Sequence, residues 1–167
     1  MAKITLKGNP INTVGSLPSV GTTAPDFRLT SGDLSDRNLA DFAGKKIVLN
    51  IVPSLETSVC SASARKFDKE IAKHPDAVCL TISADLPFAG SRFCKTEGVA
   101  NVITLSDVRS KTFGEDYGCR IIDGPMEGLL SRAVVVLDEN NKVVYTEQVP
   151  EIGQEPDYDR ALKALTD

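Results

Sequence analysis

The chain has 167 residues, a length that suits one domain, residues 1–167, with a sizeable core. Hydrophobic residues make up 41% and aromatic residues only 5%, with no tryptophan, so aliphatic side chains must fill most of that core. The net charge of −4, with acids and bases interleaved, argues against nucleic acid or an anionic membrane surface as a partner, since both call for a basic patch.

In chain order, KITL, Gly8-Asn9-Pro10 and INTV read as a short hairpin with its turn at Gly8–Pro10. The opening MAKITLKGNP has no apolar core of a secretory signal, and no apolar run approaches the roughly 20 residues that span a bilayer, so the expected location is cytoplasmic. Gly15 to Pro25 reads as a loop, DFRLT (Asp26–Thr30) as a strand and Asp41–Gly44 as a turn. KIVLNIV (Lys46–Val52) is a nearly continuous apolar run, as expected of a central strand covered on both faces.

From Thr57 or Ser58 to about Lys73 the pattern is helical. Cys60, Ala64, Phe67 and Ile71 form one apolar stripe, with Arg65, Lys66, Asp68, Lys69 and Glu70 on the polar side. AVCLTIS (Ala77–Ser83) is the next strand. Asp85 followed by Pro87 marks a helix start, and that helix runs to about Gly98. VITL (Val102–Leu105) is a strand and Ser110–Tyr117 a short helix. RAVVVLD and KVVYTEQV flank a hairpin turn at Asp138–Asn141, and Asp157–Leu165 is a closing helix. Strands alternating with helices predict an α/β architecture, a mixed central sheet flanked by helices on both faces. The terminal strand-strand-helix is what a thioredoxin-like domain has, here with an N-terminal β-hairpin as an extension.

Four cysteines are present: Cys60, Cys79, Cys94 and Cys119. A domain of this size needs no disulfide staples, and one histidine with no C-x-x-C pair does not make a zinc site. Cys60 stands apart because it falls two or three residues into a helix that follows a buried strand. A free thiol is only about 3% thiolate at pH 7, and the thiolate is the reactive form. The unpaired N–H groups and the positive dipole end of a helix N-terminus favour that anion. Thr57, three residues earlier, has a hydroxyl within reach of the sulfur, and Pro53 stiffens the strand exit. The same spacing also suits a plain N-cap, Thr57 or Ser58, with a cysteine packed on the core.

The segment NIVPSLETSVCSASARKF, with its P-x-x-x-T-x-x-C pattern, resembles the active-site segment of the peroxiredoxins. Within them it is similar to the bacterial thiol peroxidases of the atypical two-cysteine type. The resemblance covers essentially the whole chain, including SADLPFAGSRFC, SDVRSKTFGEDYG and GLLSRAVVVLDENNKVVY. It implies that Cys60 is the peroxidatic cysteine and Cys94 the resolving one, with a Cys60–Cys94 disulfide as intermediate. It also assigns Pro53, Thr57 and Arg132 to the active site. Read without the resemblance, Arg132 is a strand-entry residue paired at the surface, and Cys94 a helix thiol packed near Phe93.

The implied activity is reduction of hydrogen peroxide or organic hydroperoxides through a Cys60 sulfenic acid, with thioredoxin as the external reductant and no metal or organic cofactor. A homodimer is implied too. If the two cysteine-bearing segments must meet, both are expected to loosen between steps. Phe88, Phe93, Leu129 and Leu130 are candidates to receive an alkyl chain. Cys79 and Cys119 read as structural thiols, His74 as a helix-end residue, and Arg65 and Lys66 as a solvated face, Arg65 with a possible second role beside the site. Two other readings are a thioredoxin-type oxidoreductase and a non-catalytic binding module. Ser63 in place of a second cysteine at C-x-x-C spacing weighs against the first, and rapid oxidation of Cys60 by peroxide would exclude the second.

Overall fold

The computed structural model describes residues 1–110 and 112–167. Its central sheet has seven strands: β3 (Leu29–Ser31), β4 (Asp36–Arg37), β5 (Lys46–Ile51), β6 (Ala77–Ser83), β7 (Val102–Ser106), β8 (Ala133–Leu137) and β9 (Val143–Gln148). They lie in the order β4-β3-β7-β6-β5-β8-β9. The central trio β5, β6 and β7 is parallel, joined by α1 (Ser58–Ile71) and α2 (Pro87–Glu97), and the outer strands run antiparallel. This is the mixed sheet with flanking helices that the strand-helix alternation predicts.

Alternation along β5 separates two cores. Ile47, Leu49 and Ile51 face one of them, with Leu39, Phe42, Phe113, Tyr117 and Leu130. Val48 and Val52 face the other, with the α1 stripe Cys60, Ala64, Phe67 and Ile71, Phe93 of α2, and Ala161 of α4 (Tyr158–Lys163). Every residue of the predicted α1 stripe is buried. Amid this second face the sheet turns polar: Asn50, Thr81 and Thr104 stand side by side in register on β5, β6 and β7. The Asn50 amide donates to Ser63 of α1 (3.3 Å) and to Thr81 (3.4 Å), while its carbonyl oxygen has no partner. A Cβ on Gly90 of α2 would meet the Thr104 hydroxyl at 2.5 Å, so only glycine lets α2 lie this close to β7.

Several local expectations are corrected. The hairpin of β1 (Lys3–Leu6) and β2 (Asn9–Asn12) turns at Lys7 and Gly8, both at positive φ, so Pro10 falls inside β2 opposite Thr5. A two-residue turn of type I′ needs positive φ at both centres, and a two-stranded edge tolerates a proline. The strand expected at Asp26–Thr30 starts only at Leu29, because the Asp26 carboxylate accepts from the amides of Phe27 and Leu39 and holds the chain out of the sheet. Of the turn expected at Asp41–Gly44, Asp41 and Phe42 belong to a 3-10 helix, Leu39–Phe42, capped reciprocally by Asn38 and Asp41, and the chain turns at Ala43 and Gly44. Of the helix expected at Ser110–Tyr117, Phe113–Asp116 is α3, and Lys111 lies outside the described residues.

The hairpin is pinned to the body by Glu151. Its carboxylate accepts from the Thr5 hydroxyl and from the amides of Lys7 (3.0 Å), Gly8 (3.1 Å) and Gly153 (3.2 Å). The Thr5 hydroxyl first, then the Gly8 amide, hold this carboxyl well below the ordinary glutamate value of 4.5, at about 2. A lowered folded-state value means that the clamp contributes fully above pH 4.5 and is lost as the pH falls towards 2. The protection of the Lys7 and Gly8 amides relative to their intrinsic exchange at each pH is therefore expected to fall across that window; unchanged protection down to pH 2 would remove Glu151 as the clamp.

Candidate active site

Strand β5 ends at Ile51, and the chain passes through buried Pro53 into the loop that opens α1. Thr57 is the N-cap: its hydroxyl accepts from the Cys60 amide at 3.3 Å and donates to the Ser54 carbonyl at 3.4 Å. The plain reading of Thr57 as helix punctuation is thus correct as far as it goes, and the hydroxyl acts through the backbone at the sulfur's own residue. Cys60 is the third residue of α1, at its electropositive end, and is fully buried.

The sulfur's polar neighbour comes from the entry to β8, the strand beside β5 in the sheet. Arg132, immediately before β8, is 2% exposed, so the surface pairing that its position suggests without the resemblance does not occur. Its Nε donates to the Ile152 carbonyl at 2.8 Å and its Nη2 to the Cys60 sulfur at 3.2 Å. Among the described residues, the buried Nη1 nitrogen has no partner and no carboxylate forms an ion pair with Arg132. A buried guanidinium without a carboxylate is costly unless another anion serves it. The Cys60 sulfur lies at hydrogen-bond distance from this guanidinium, and Nη1 is a second donor left unmet among the described residues.

Over its full length the chain is 55% identical to the thiol peroxidase of Mycobacterium tuberculosis and to that of Mycobacterium bovis, each match covering 99% of both chains. Residues 19–162 match the redoxin family model. The chain belongs to the thiol peroxidases of the redoxin family. A peroxiredoxin-like protein from Aquifex aeolicus has the same fold, with a TM-score of 0.93 and 36% identity over 99% of this chain and 96% of that one. The thiol peroxidase of Chromobacterium violaceum superposes at 0.91 with 23% identity, over 98% of this chain and 95% of that one.

The other thiols of this thiol peroxidase lie in different surroundings. All four cysteines are free. Cys94, on α2, is half-buried; burial pushes its thiol up, partly offset by the Thr104 hydroxyl, 4.0 Å from the sulfur. Cys79 and Cys119 are fully buried, and burial pushes Cys119 to about 12 and Cys79 higher still. After a single exposure to peroxide, mass spectrometry is expected to find both as free thiols; sulfenic or disulfide forms at either would reject their structural assignment.

A groove of about 250 Å³ separates the start of α1 from α2, lined by Leu55, Glu56, Ser58, Ser61, Arg92 and Phe93. The four apolar candidates are not brought together there: Phe93 lines the groove, Phe88 is exposed, Leu130 belongs to the opposite core, and half-buried Leu129 does not line the groove. Arg65 does reach across, pairing with Glu97 of α2 at 3.0 Å.

Asp85 was expected to start α2, yet Leu86 takes the N-cap position and the Asp85 carboxylate turns to the loop before α1. It accepts from the Ser54 hydroxyl (2.8 Å), the Leu55 amide (2.7 Å) and the Ser83 hydroxyl (2.8 Å). Sequence reading could not find this clamp, because two of its partners are 30 and 31 residues away. Asp85→Ala strips the acceptor from three donors, one of them the amide of buried Leu55, and is expected to cost about 1–3 kcal/mol of stability. Chemical denaturation measures it, and a loss below roughly 0.5 kcal/mol, the scale of an ordinary surface change, would show the clamp to be idle.

Proposed function

We propose that Cys60 is the peroxidatic cysteine of a thioredoxin-dependent peroxidase and that Cys94 resolves it. The observation that carries this reading is the buried Arg132 guanidinium, with Nη2 on the Cys60 sulfur at 3.2 Å and Nη1 unpartnered. The Cys60 thiolate attacks the terminal oxygen of ROOH; the O–O bond breaks, and Cys60 becomes a sulfenic acid. The leaving alkoxide takes a proton from solvent to give ROH. Negative charge passes from sulfur to the leaving oxygen, and fixed donors from Arg132 and the helix N-terminus accompany it without reorganising. Thr57 holds the first turn of α1 in place, and Pro53 closes the strand exit behind it.

Cys94, as thiolate, then attacks the sulfenic sulfur; a disulfide forms, and hydroxide leaves as water on protonation. A dithiol of the thioredoxin class returns both thiols, so the cycle needs no metal or organic cofactor. The reading extends to one domain over 1–167, a homodimer and a cytoplasmic antioxidant role, with no nucleic-acid or membrane partner. Among the described residues, no helix is long and apolar enough to cross a membrane.

The test is turnover with thioredoxin across hydrogen peroxide and a series of alkyl hydroperoxides, with stopped-flow oxidation of the reduced protein alongside. Oxidation no faster than that of free cysteine would end the assignment of Cys60.

A further inference from the structure

The N-terminal hairpin lies outside the central sheet and contributes no cysteine, yet its contacts lead directly to the active-site arginine. The Thr5 amide donates to the Pro150 carbonyl at 2.8 Å, and the Ile152 amide donates back to the Thr5 carbonyl at 2.9 Å. Thr5 and Glu151 thereby form a parallel bridge, so the segment after β9 is paired to β1. Ile152 packs on Ile4 and Ile11, the inward pair of the hairpin, together with Ile121. The carbonyl of this same Ile152 accepts from Arg132 Nε at 2.8 Å. Its amide and side chain are thus fixed by the hairpin while its carbonyl fixes the guanidinium.

The geometry points to the hairpin as a brace for Arg132: Thr5 and Glu151 are positioning residues that set the guanidinium against the Cys60 sulfur through the Ile152 carbonyl. The guanidinium is planar, so holding Nε fixes the plane in which Nη1 and Nη2 lie. Arg132 has no carboxylate to orient it, and Nη2 bonds to the reacting sulfur itself, so the Ile152 carbonyl is the protein's own orienting contact. Small displacements of a positioned group matter: about 1 Å can cost 10²-fold in rate. The catalytic use of Arg132 rests on the peroxidase reading above; the brace itself does not.

Two measurements separate the two. In the wild-type protein the Arg132 Nε–H signal in nitrogen-edited NMR is expected to be sharp and slow to exchange. In Thr5→Ala and Glu151→Ala it is expected to broaden or exchange at least tenfold faster, and Thr5→Ser, which keeps the hydroxyl on Glu151, is expected to restore it. An unchanged signal in both alanine variants overturns the brace, whatever the protein does to peroxides. For the catalytic consequence, Glu151→Ala is expected to slow oxidation of Cys60 by hydrogen peroxide about tenfold, less than the ceiling for a full misplacement. The same substitution in an Arg132→Met background is expected to change the rate less than twofold. Equal losses in both backgrounds would mean general damage and reject the coupling. If wild-type Cys60 oxidises no faster than free cysteine, the peroxidase roles fall, and the NMR comparison still decides the brace.

Discussion

Replacing Arg132 by methionine is expected to slow oxidation of Cys60 by peroxide about 10²–10³-fold, the loss typical of removing a preorganised donor from developing charge. The guanidinium is fully enclosed, bonded to the sulfur through Nη2, and carries an unpartnered donor in Nη1. Both functions disappear with the substitution. Stability is expected to move much less. The Ile152 carbonyl loses its partner, a cost of about 1–3 kcal/mol, but a buried charge without a carboxylate is removed at the same time. Arg132→Lys keeps the charge without the rigid fork and is expected to recover only part of the rate. Stopped-flow oxidation with hydrogen peroxide, beside thermal unfolding, makes the comparison. Near-wild-type rates in the methionine variant would remove Arg132 from the chemistry.

Replacing Cys94 by serine is expected to abolish thioredoxin-driven turnover while the first oxidation of Cys60 proceeds at close to the wild-type rate. The two thiols sit on separate helices with separate partners, Arg132 for Cys60 and Thr104 for Cys94. A disulfide needs Cα atoms within about 4.4–6.8 Å and correctly directed Cβ atoms. Cys94 in its resting place is also a poor attacker, since burial pushes its thiol up. The reading proposed above therefore expects the segments that carry Cys60 and Cys94 to open between steps, breaking the Arg65–Glu97 pair and loosening the Asp85 clamp. The sulfenic acid at Cys60 is expected to accumulate in Cys94→Ser and to be trapped by dimedone in a mass spectrum. Retained turnover would take Cys94 out of its role. In the wild-type disulfide form, amides of both helix starts are expected to exchange faster than in the dithiol form; identical exchange would mean that resolution proceeds without opening.

The elements around the site were readable in the sequence where a local pattern repeats. The α1 stripe, the apolar run of β5 and the β8–β9 hairpin needed no tertiary information. The P-x-x-x-T-x-x-C pattern located the thiol because its parts are contiguous and the loop they form is short. Arg132 was named by resemblance, but its burial was not visible: nothing local distinguishes an arginine at a strand entry that faces solvent from one that reaches a sulfur 72 residues earlier. Asp85 misled for a related reason. An acid two residues before Pro87 has the form of a cap, and only the fold reveals that Ser54 and Leu55 compete for it. The Ile152 contact left no side-chain signal at all, since a backbone carbonyl carries it.

The polar row beneath the two cysteine helices bears on more than packing. The first turns of α2, at Leu86, Pro87 and Gly90, lie over Ser83, Thr104 and Ser106, and α1 rests on Asn50 through Ser63. In the disulfide cycle proposed above, a round that lifts these turns would let solvent reach hydroxyls and an amide where a sheet centre ordinarily shows valine and isoleucine. Such a surface wets on opening and offers little for a neighbouring molecule to stick to. If the cycle proposed above runs, the same row would give each opening a polar floor, and its replacement by valines would be expected to raise aggregation during turnover without lowering folded stability.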